Sequence, residues 1–188
     1  MTDPETRILL LKLARESILS KLTGSVLKTA SDTADLSEEI KKDGACFVTL
    51  TKKGELRGCI GSLEAHRPLY LDVIVNAQNS AFSDYRFAPL SRSEIDSVKI
   101  EISVLSERQE ISYKDFNDLK KKVIPKVHGV YLSYSYNSAT FLPQVWEQLY
   151  THEQFFIHLC QKAGLSPEFV FYNKPKIEIY TVEHFSEE

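Results

Sequence analysis

The stretch that organises this chain is Leu56-Arg57-Gly58-Cys59-Ile60-Gly61. It places a cation, a thiol and two residues without side chains within one short extended segment. Residues 45–51 and 55–61 are extended runs joined by Lys52-Lys53-Gly54, which predicts a β-hairpin with a three-residue loop and Gly54 in the left-handed conformation. In the register that follows, Thr51 pairs with Glu55.

This register has a chemical consequence, because side chains alternate between the two faces of a strand. Arg57 and Cys59 would share one face, while Leu56 and Ile60 would face the core. A nearby cation favours the thiolate, which is the reactive form of cysteine. Arg57 is therefore a candidate ligand-binding residue and Cys59 a candidate catalytic nucleophile or redox thiol.

Gly58 and Gly61 complete the candidate site, since glycine in a strand often marks the close approach of a ligand or another backbone. A purely structural interpretation stands beside this one. A free cysteine usually behaves as a small buried hydrophobe. Arg57 would then be a surface residue, and the glycines would mark a bulge or tight packing against the following helix.

Composition narrows the class of protein. The chain has 188 residues, of which 43% are hydrophobic and 26% charged, as in an ordinary globular domain. The net charge of −3 argues against nucleic-acid binding by the whole surface. No apolar run approaches the ~20 residues that span a bilayer, and the acidic N-terminus lacks a signal-peptide layout. We therefore predict a cytoplasmic protein without a membrane partner.

Neither a metal nor a cofactor is predicted. The sequence contains no Gly-rich phosphate loop, no dinucleotide fingerprint and no zinc-type spacing, and its five histidines are scattered. The three cysteines do not form a disulfide framework. In the predicted register Cys46 and Cys59 lie on opposite faces of the sheet, which argues against a bridge between them.

Helical segments flank the hairpin. Asp3-Pro4 and Gly24 delimit a first helix, and residues 25–44 read as a surface connection with one helical turn from Ser37. A second helix, from Pro68 to about Phe82, is apolar nearly all round and thus buried. Asn76 lies within it and needs a polar partner, which is either a helix-to-loop hydrogen bond or a ligand in the site.

The segment after this helix offers a second cation. Asp84 and Arg86 are two residues apart and precede Phe87. They form either a structural salt bridge that fixes a loop or, with Arg57, an anion pocket.

The second half repeats the order of elements. Residues 127–136 and 139–142 form another hairpin, predicted to turn at Asn137-Ser138, and the tetrapeptide Lys-Ile-Glu-Ile occurs at both 99–102 and 176–179. We predict an α+β fold in which two similar hairpin-helix-strand units have fused, mostly antiparallel sheets and flanking helices. The single domain, 1–188, would have two intimate lobes, roughly 1–108 and 109–188. Gln144 would then face the Arg57 strand across a cleft.

The chain resembles the AMMECR domain family, which includes bacterial and archaeal proteins called AmmeMemoRadiSam system protein A. The resemblance covers nearly the whole chain, and the hexapeptide at 56–61 is its most specific part. The other matching segments are Asn76-Ala77, Asp84-Tyr85-Arg86-Phe87-Ala88-Pro89-Leu90, residues 139–146 and residues 159–165.

The resemblance implies a duplicated α+β fold, a site at the hexapeptide and the company of a Memo-like protein and a radical SAM enzyme. It supplies no reaction, so whether the chain is an enzyme stays open. We consider three functions: a module that binds a small anion or a protein partner, a cysteine-dependent enzyme that uses Cys59, and a nucleic-acid-binding module. The last would stack bases on Tyr131, Tyr134 and Tyr136, although the acidic balance makes nucleic acid the least favoured partner.

Overall fold

The structure is a computed structural model, and it describes residues 2–27 and 36–188. It divides into two compact units. The first consists of the chain up to Leu105 together with Glu183–Glu188, and the second is Ser106–Val182. The predicted lobe boundaries therefore need one revision, because the segment Glu183–Glu188 returns to the first unit.

Residues 2–27 and 36–188 form a mixed series of helices and strands. In order they are α1 (Pro4–Thr23), α2 (Glu38–Lys41), β1 (Ala45–Lys52), β2 (Glu55–Gly61), α3 (Leu69–Phe82), β3 (Val98–Leu105), β4 (Gln109–Ile111), α4 (Phe116–Lys122), β5 (Gly129–Tyr134), β6 (Asn137–Phe141), α5 (His152–Lys162), α6 (Phe169–Tyr172), β7 (Lys176–Tyr180) and β8 (Val182–Ser186). Two 3-10 turns, Ile95–Ser97 and Pro143–Glu147, precede β3 and α5.

Local signals placed the helices correctly. The side chain of Asp3 caps α1 by accepting a hydrogen bond from the Thr6 amide at 2.9 Å, and Gly24 ends the helix with φ of 67°. The predicted turn of helix after Ser37 is α2. Residues 28–35 of the predicted surface connection lie outside the described residues.

The two sheets confirm the α+β class and the repeated plan. The first sheet has the order β2-β1-β3-β8 and the second, read from its other edge, has the order β6-β5-β7-β4. In each sheet the second hairpin strand is an edge, the first hairpin strand comes next, and the strand with the Lys-Ile-Glu-Ile tetrapeptide follows it. The sheets are two separate four-stranded sheets rather than the fused sheet that the sequence predicted.

The fourth strand of each sheet comes from the other half of the sequence. β4 follows β3 along the chain but pairs with β7, and β8 follows β7 but joins the sheet of β3. The return of β8 is held by ion pairs to α1, between Arg7 and Glu183 at 2.5 Å and between Arg15 and Glu187. Each sheet therefore needs a strand from both halves of the chain.

The first hairpin has a different register from the predicted one. Lys52 pairs with Glu55, so the turn has two residues, Lys53 and Gly54, which both have positive φ, as in a type I′ turn. The predicted pairing of Thr51 with Glu55 is wrong.

A β-bulge shifts the pairing by one more residue further along. Leu50 lies opposite Gly58 and Thr51 opposite Leu56, which leaves Arg57 as the extra residue. Leu56 is consequently 42% exposed instead of facing the core, which corrects its predicted position.

Beyond the bulge, the two faces of the first sheet differ in what covers them. One face contributes Cys46, Val48 and Leu50 to a core with α1 and α3. The opposite face, which we call the outer face, includes Thr49 and its cross-strand neighbour Cys59. Cys46 and Cys59 therefore lie on opposite faces, as predicted.

The second unit has its own core around α5. Trp146 is buried, stacks on Phe155 with ring centroids 3.8 Å apart, and donates its indole N–H to the carbonyl of His128 at 3.0 Å. The hairpin of this unit turns at Ser135 and Tyr136, since Tyr134 pairs with Asn137. The predicted turn at Asn137-Ser138 is therefore wrong by two residues.

The contact between β2 and α3 predicts a large cost for a single methyl group. A Cβ at Gly58 would lie 2.1 Å from the backbone oxygen of Ser80, so Gly58→Ala must push the strand off the helix. We expect the free energy of unfolding in urea to fall by about 3 kcal/mol. Gly54→Ala is the matched control, because Gly54 has open space around it and only its positive φ to lose, worth about 1 kcal/mol. Equal losses in the two variants would contradict the close packing.

Candidate functional site

Arg57 holds the segment that follows α3. Its Nε and Nη2 atoms donate to the two carboxylate oxygens of Glu94, at 3.3 and 3.2 Å, and Nη2 also donates to the carbonyl of Ala88 at 2.9 Å. Lys52 binds the same carboxylate at 2.9 Å, and these two cations hold the pKa of Glu94 below its ordinary value. An anion that binds Nε or Nη2 of Arg57 would therefore have to displace Glu94, whereas Nη1 is buried without a hydrogen-bond partner in residues 2–27 and 36–188.

Asp84 and Arg86 close the free edge of β2 at Cys59. The carboxylate of Asp84 accepts the Cys59 amide at 2.9 Å, and Nη2 of Arg86 donates to the Cys59 carbonyl at 3.2 Å. The two side chains form a bidentate ion pair, with distances of 2.9 and 2.7 Å. The pair thus replaces the hydrogen bonds that a neighbouring strand would make.

The Arg86 guanidinium and two backbone amides stabilise the ionised form of Asp84. They hold the pKa of this carboxyl well below its ordinary value of 3.8, and Asp84 in turn raises the pKa of Arg86. The predicted salt bridge is therefore present.

The loop between Asp84 and Leu90 is fixed at several points but leaves one aromatic ring in water. Phe87 lies beside both guanidinium groups, with its ring centroid 5.9 Å from Cζ of Arg57 and 5.5 Å from that of Arg86. Leu90 is buried and its amide donates to the carbonyl of Ala81 at 2.8 Å. Tyr85, by contrast, is 94% exposed.

The thiol of Cys59 is half-buried on the outer face. Its Sγ accepts a hydrogen bond from the hydroxyl of Thr49 at 3.2 Å. Arg86 reaches the backbone of the same residue, since Nη2 of Arg86 donates to the Cys59 carbonyl. The bulge takes Arg57 out of the strict alternation that was predicted to put it beside Cys59.

At both glycines of the hexapeptide, neighbouring protein atoms fill the space that a side chain would need. Gly58 is buried against Ser80, whose hydroxyl also links the strands by accepting from the Ile60 amide at 2.9 Å and donating to the Val48 carbonyl at 2.6 Å. A Cβ at Gly61 would lie 2.3 Å from the ring of Phe47. These contacts support the structural interpretation of the two glycines.

Asn76 is part of a buried polar network on the core side of the sheet. Its amide donates to Asp72 at 2.9 Å, to the Cys46 carbonyl at 3.1 Å and to the Ser62 hydroxyl at 3.2 Å. Asp72 also accepts from the Cys46 amide at 3.0 Å and from Ser62 at 2.8 Å. Of the two alternatives for Asn76, these contacts match hydrogen bonds from the helix to a strand and a loop.

Gln144 lies in the second unit, exposed in the 3-10 turn Pro143–Glu147 just after β6. β6 is the topological counterpart of β2. A cleft between Gln144 and the Arg57 strand stays a prediction.

The tyrosines considered for base stacking are in different settings. Tyr131 lies against the guanidinium of Arg108, 4.0 Å from its ring centroid, and Tyr134 packs edge-on against Phe169. Tyr136 lies in the turn and is fully exposed. The nucleic-acid alternative stays a prediction.

Sequence reasoning missed three partners of the site. The hydroxyl of Thr49 binds the thiol of Cys59. Ser80 binds the backbone of β2, and Glu94 binds Arg57. Ser80 follows Asn76 by four residues, so helical spacing could have placed it on the same face towards β2. No local sequence pattern could have identified Glu94 as the partner of Arg57, because the two residues lie far apart in the chain.

Two further properties concern the residues that the structure describes. Within them, no group of three or more His, Cys, Asp or Glu side chains is arranged to hold a metal ion. None of the helices formed by residues 2–27 and 36–188 has the length and apolar character needed to cross a bilayer.

The ion pair at the edge of β2 predicts how stability depends on pH. Because the folded-state pKa of Asp84 lies below its ordinary value, ionised Asp84 stabilises the fold above about pH 4, and this contribution is lost as the pH falls further. Asp84→Asn should lower the urea midpoint at pH 7 and weaken its dependence on pH between pH 4 and pH 2. Asp96→Asn, at an exposed position, is the control. An unchanged acid dependence in Asp84→Asn would show that the pair does not stabilise the fold.

The three free thiols should differ in reactivity. Cys46 and Cys160 are fully buried, and burial raises the pKa of both thiols. In the folded protein we expect iodoacetamide to alkylate Cys59 first, as resolved by mass spectrometry of the peptides, with all three reacting in denaturant. Cys59→Ser should remove the fast phase. Faster labelling of Cys46 or Cys160 would contradict the burial pattern.

The chain also matches known proteins along nearly its full length. The profile of the AMMECR1 family matches residues 11–185. A protein of Methanothermobacter thermautotrophicus is 35% identical over 172 residues, covering 91% of this chain and 88% of its own. A protein of Sulfurisphaera tokodaii is 38% identical over 186 residues, covering 95% and 81%.

The fold of this chain is also similar to that of a solved structure. The crystal structure of the uncharacterised protein PH0010 from Pyrococcus horikoshii superposes with a TM-score of 0.79 at 30% identity, over 99% of this chain and 93% of that one. The family profile and the relatives together show that the chain belongs to the AMMECR1 family.

Proposed function

We propose that this chain is a protein-binding module whose contact surface is centred on Cys59 and includes Leu56, Tyr85 and Arg86. One observation carries the proposal. The arginine–carboxylate pairs fix the loop 84–90 on β2, and this fixed loop leaves Tyr85 94% exposed beside Arg86. A large aromatic ring held in water by a rigid loop loses little conformational freedom on binding, and such tyrosines are frequent energetic centres of interfaces.

The charges of the site favour a protein over a small anion. Arg57 is paired with Glu94, and Arg86 with Asp84. A free anion would have to compete with two well-placed carboxylates. A protein surface can instead use the exposed parts of Leu56, Tyr85 and Arg86 without breaking either pair.

The contact of the thiol also favours binding over catalysis. A nucleophilic cysteine is activated by a base that accepts its proton or by a cation that stabilises its thiolate. The hydroxyl of Thr49 donates to Sγ and does not supply such a base. Enzymatic use of Cys59 is the second candidate function, because Cys59 is half-exposed whereas Cys46 and Cys160 are buried, and Nη2 of Arg86 lies 3.2 Å from the Cys59 carbonyl.

The partners follow from the family resemblance. A Memo-like protein and a radical SAM enzyme encoded in the same genome are the first proteins to test, and a cytoplasmic setting is part of the proposal. Either would dock on the Cys59 surface and leave the core-side network of Asn76 and Asp72 untouched.

Binding should depend on Tyr85. We expect one of these two purified proteins to bind the chain in isothermal titration calorimetry, and Tyr85→Ala to weaken the complex at least about tenfold, through the loss of a central aromatic contact. Tyr172→Ala, at a position 81% exposed in the second unit, is the matched control and should bind as the wild type does.

Two outcomes separate the candidates. Equal affinity of Tyr85→Ala and wild type, or no binding by either protein, would refute the docking surface. Intact binding by Cys59→Ser, with loss of an activity of the reconstituted proteins, would establish the thiol as catalytic instead.

A further inference from the structure

A closed turn after α4 exposes two aliphatic side chains. Ile124 is 51% exposed and Val127 47% exposed, and both belong to the short connection between α4 and β5. Pro125 and Lys126 lie between them and are also exposed. The aliphatic residues just before the turn, Leu119 and Val123, are by contrast buried in the core of the second unit.

Three backbone amides of this turn are hydrogen-bonded within it. The Ile124 amide donates to Nδ1 of His128 at 3.1 Å, and the amides of Val127 and His128 donate to the Ile124 carbonyl at 3.3 and 3.0 Å. Lys126 completes the turn in the left-handed conformation, with φ of 65°, which side chains with a Cβ rarely adopt. A turn whose amides are already bonded can leave water at a lower cost than an open loop.

Four lysines lie in or next to the turn, and two of them have no carboxylate partner among the described residues. Lys120 and Lys122 form ion pairs with Glu153 and Asp118. Lys121 and Lys126 are exposed, and within the part of the chain that the structure describes neither forms an ion pair. The sequence has no acidic residue between Asp118 and Glu147, so this patch is positive in a chain whose net charge is −3.

We propose that this turn adsorbs reversibly to an anionic lipid surface, with Ile124 and Val127 inserted among the headgroups and Lys121 and Lys126 beside lipid phosphates. The composition of the patch favours lipid over protein. Protein interfaces are rich in arginine and aromatic residues and poor in lysine, whereas aliphatic tips flanked by lysines suit the headgroup region of anionic membranes. The contact is peripheral, so it revises the expectation of no membrane partner without requiring a spanning segment.

Sedimentation with vesicles tests this directly. We expect the full chain to sediment with vesicles of phosphatidylglycerol and phosphatidylcholine at low salt, to stay in solution with phosphatidylcholine alone, and to be released as salt screens the charges. Lys121→Gln and Lys126→Gln should each lower the apparent affinity about fivefold. Ile124→Ser and Val127→Ser should each lower it several-fold, by about tenfold at most, through lost burial of apolar surface.

Matched substitutions elsewhere serve as controls. Ile8→Ser replaces an aliphatic residue that is 67% exposed on α1, and Lys99→Gln removes an exposed lysine of β3; both should sediment as the wild type does. Circular dichroism melting curves would verify that all variants fold. Absence of binding to the anionic vesicles, or unchanged binding by the serine variants, overturns the proposal. So does equal or tighter binding to soluble polyglutamate, which would assign the patch to an acidic protein.

Discussion

The free edge of β2 is the constraint on which the first unit depends. An edge strand presents amides and carbonyls that must find partners in water, in another strand or in side chains. Here the amide and the carbonyl of Cys59 are bound by Asp84 and Arg86, two residues of one loop. The core side of the same strand is pressed against α3 at Gly58, where a larger residue would collide with Ser80. Both requirements act on one short segment, and the close packing accounts for the glycine at position 58.

This arrangement changes how the charged residues of the hexapeptide region are understood. Arg57 and Arg86 each have a carboxylate partner, and together they flank Phe87. Their contacts hold the loop 84–90 in one position on the strand. What remains accessible is part of Cys59, part of Leu56, the paired guanidinium of Arg86 and nearly all of Tyr85. A surface of that kind suits recognition by shape and burial more than capture of a free ion.

The sequence predicted those elements whose signals are local. The helix caps at Asp3 and Gly24, the extent of α3 and the order of elements in both halves follow from periodicity and from proline and glycine positions. The register of the first hairpin did not follow, because Lys53 adopts positive φ and the bulge at Arg57 fits the strand to α3. Such a bulge is decided by packing between elements, which a single sequence does not reveal.

The candidate site shows the same division between local and distant information. The Asp84–Arg86 pair is local and was one of two alternatives. The partner of Arg57 is Glu94, and the partner of Cys59 is Thr49 on the neighbouring strand; both required the tertiary structure. The roles of Arg57 and Cys59 therefore depend on partners that are distant in the sequence, and the sequence alone did not decide between the alternatives.

The placement of β8 beside β3 has a consequence for biosynthesis. A ribosome that has released residues 2–105 has supplied three strands of the first sheet, yet Glu183 and Glu187, which hold α1 to the returning strand, are still to be translated. Until then β3 remains an open edge on the nascent polypeptide, and the surface around Cys59 rests on an unfinished sheet. Folding of the amino-terminal half is thus completed only after the last strand has been translated. Until that time chaperones would have access to the exposed edge of β3.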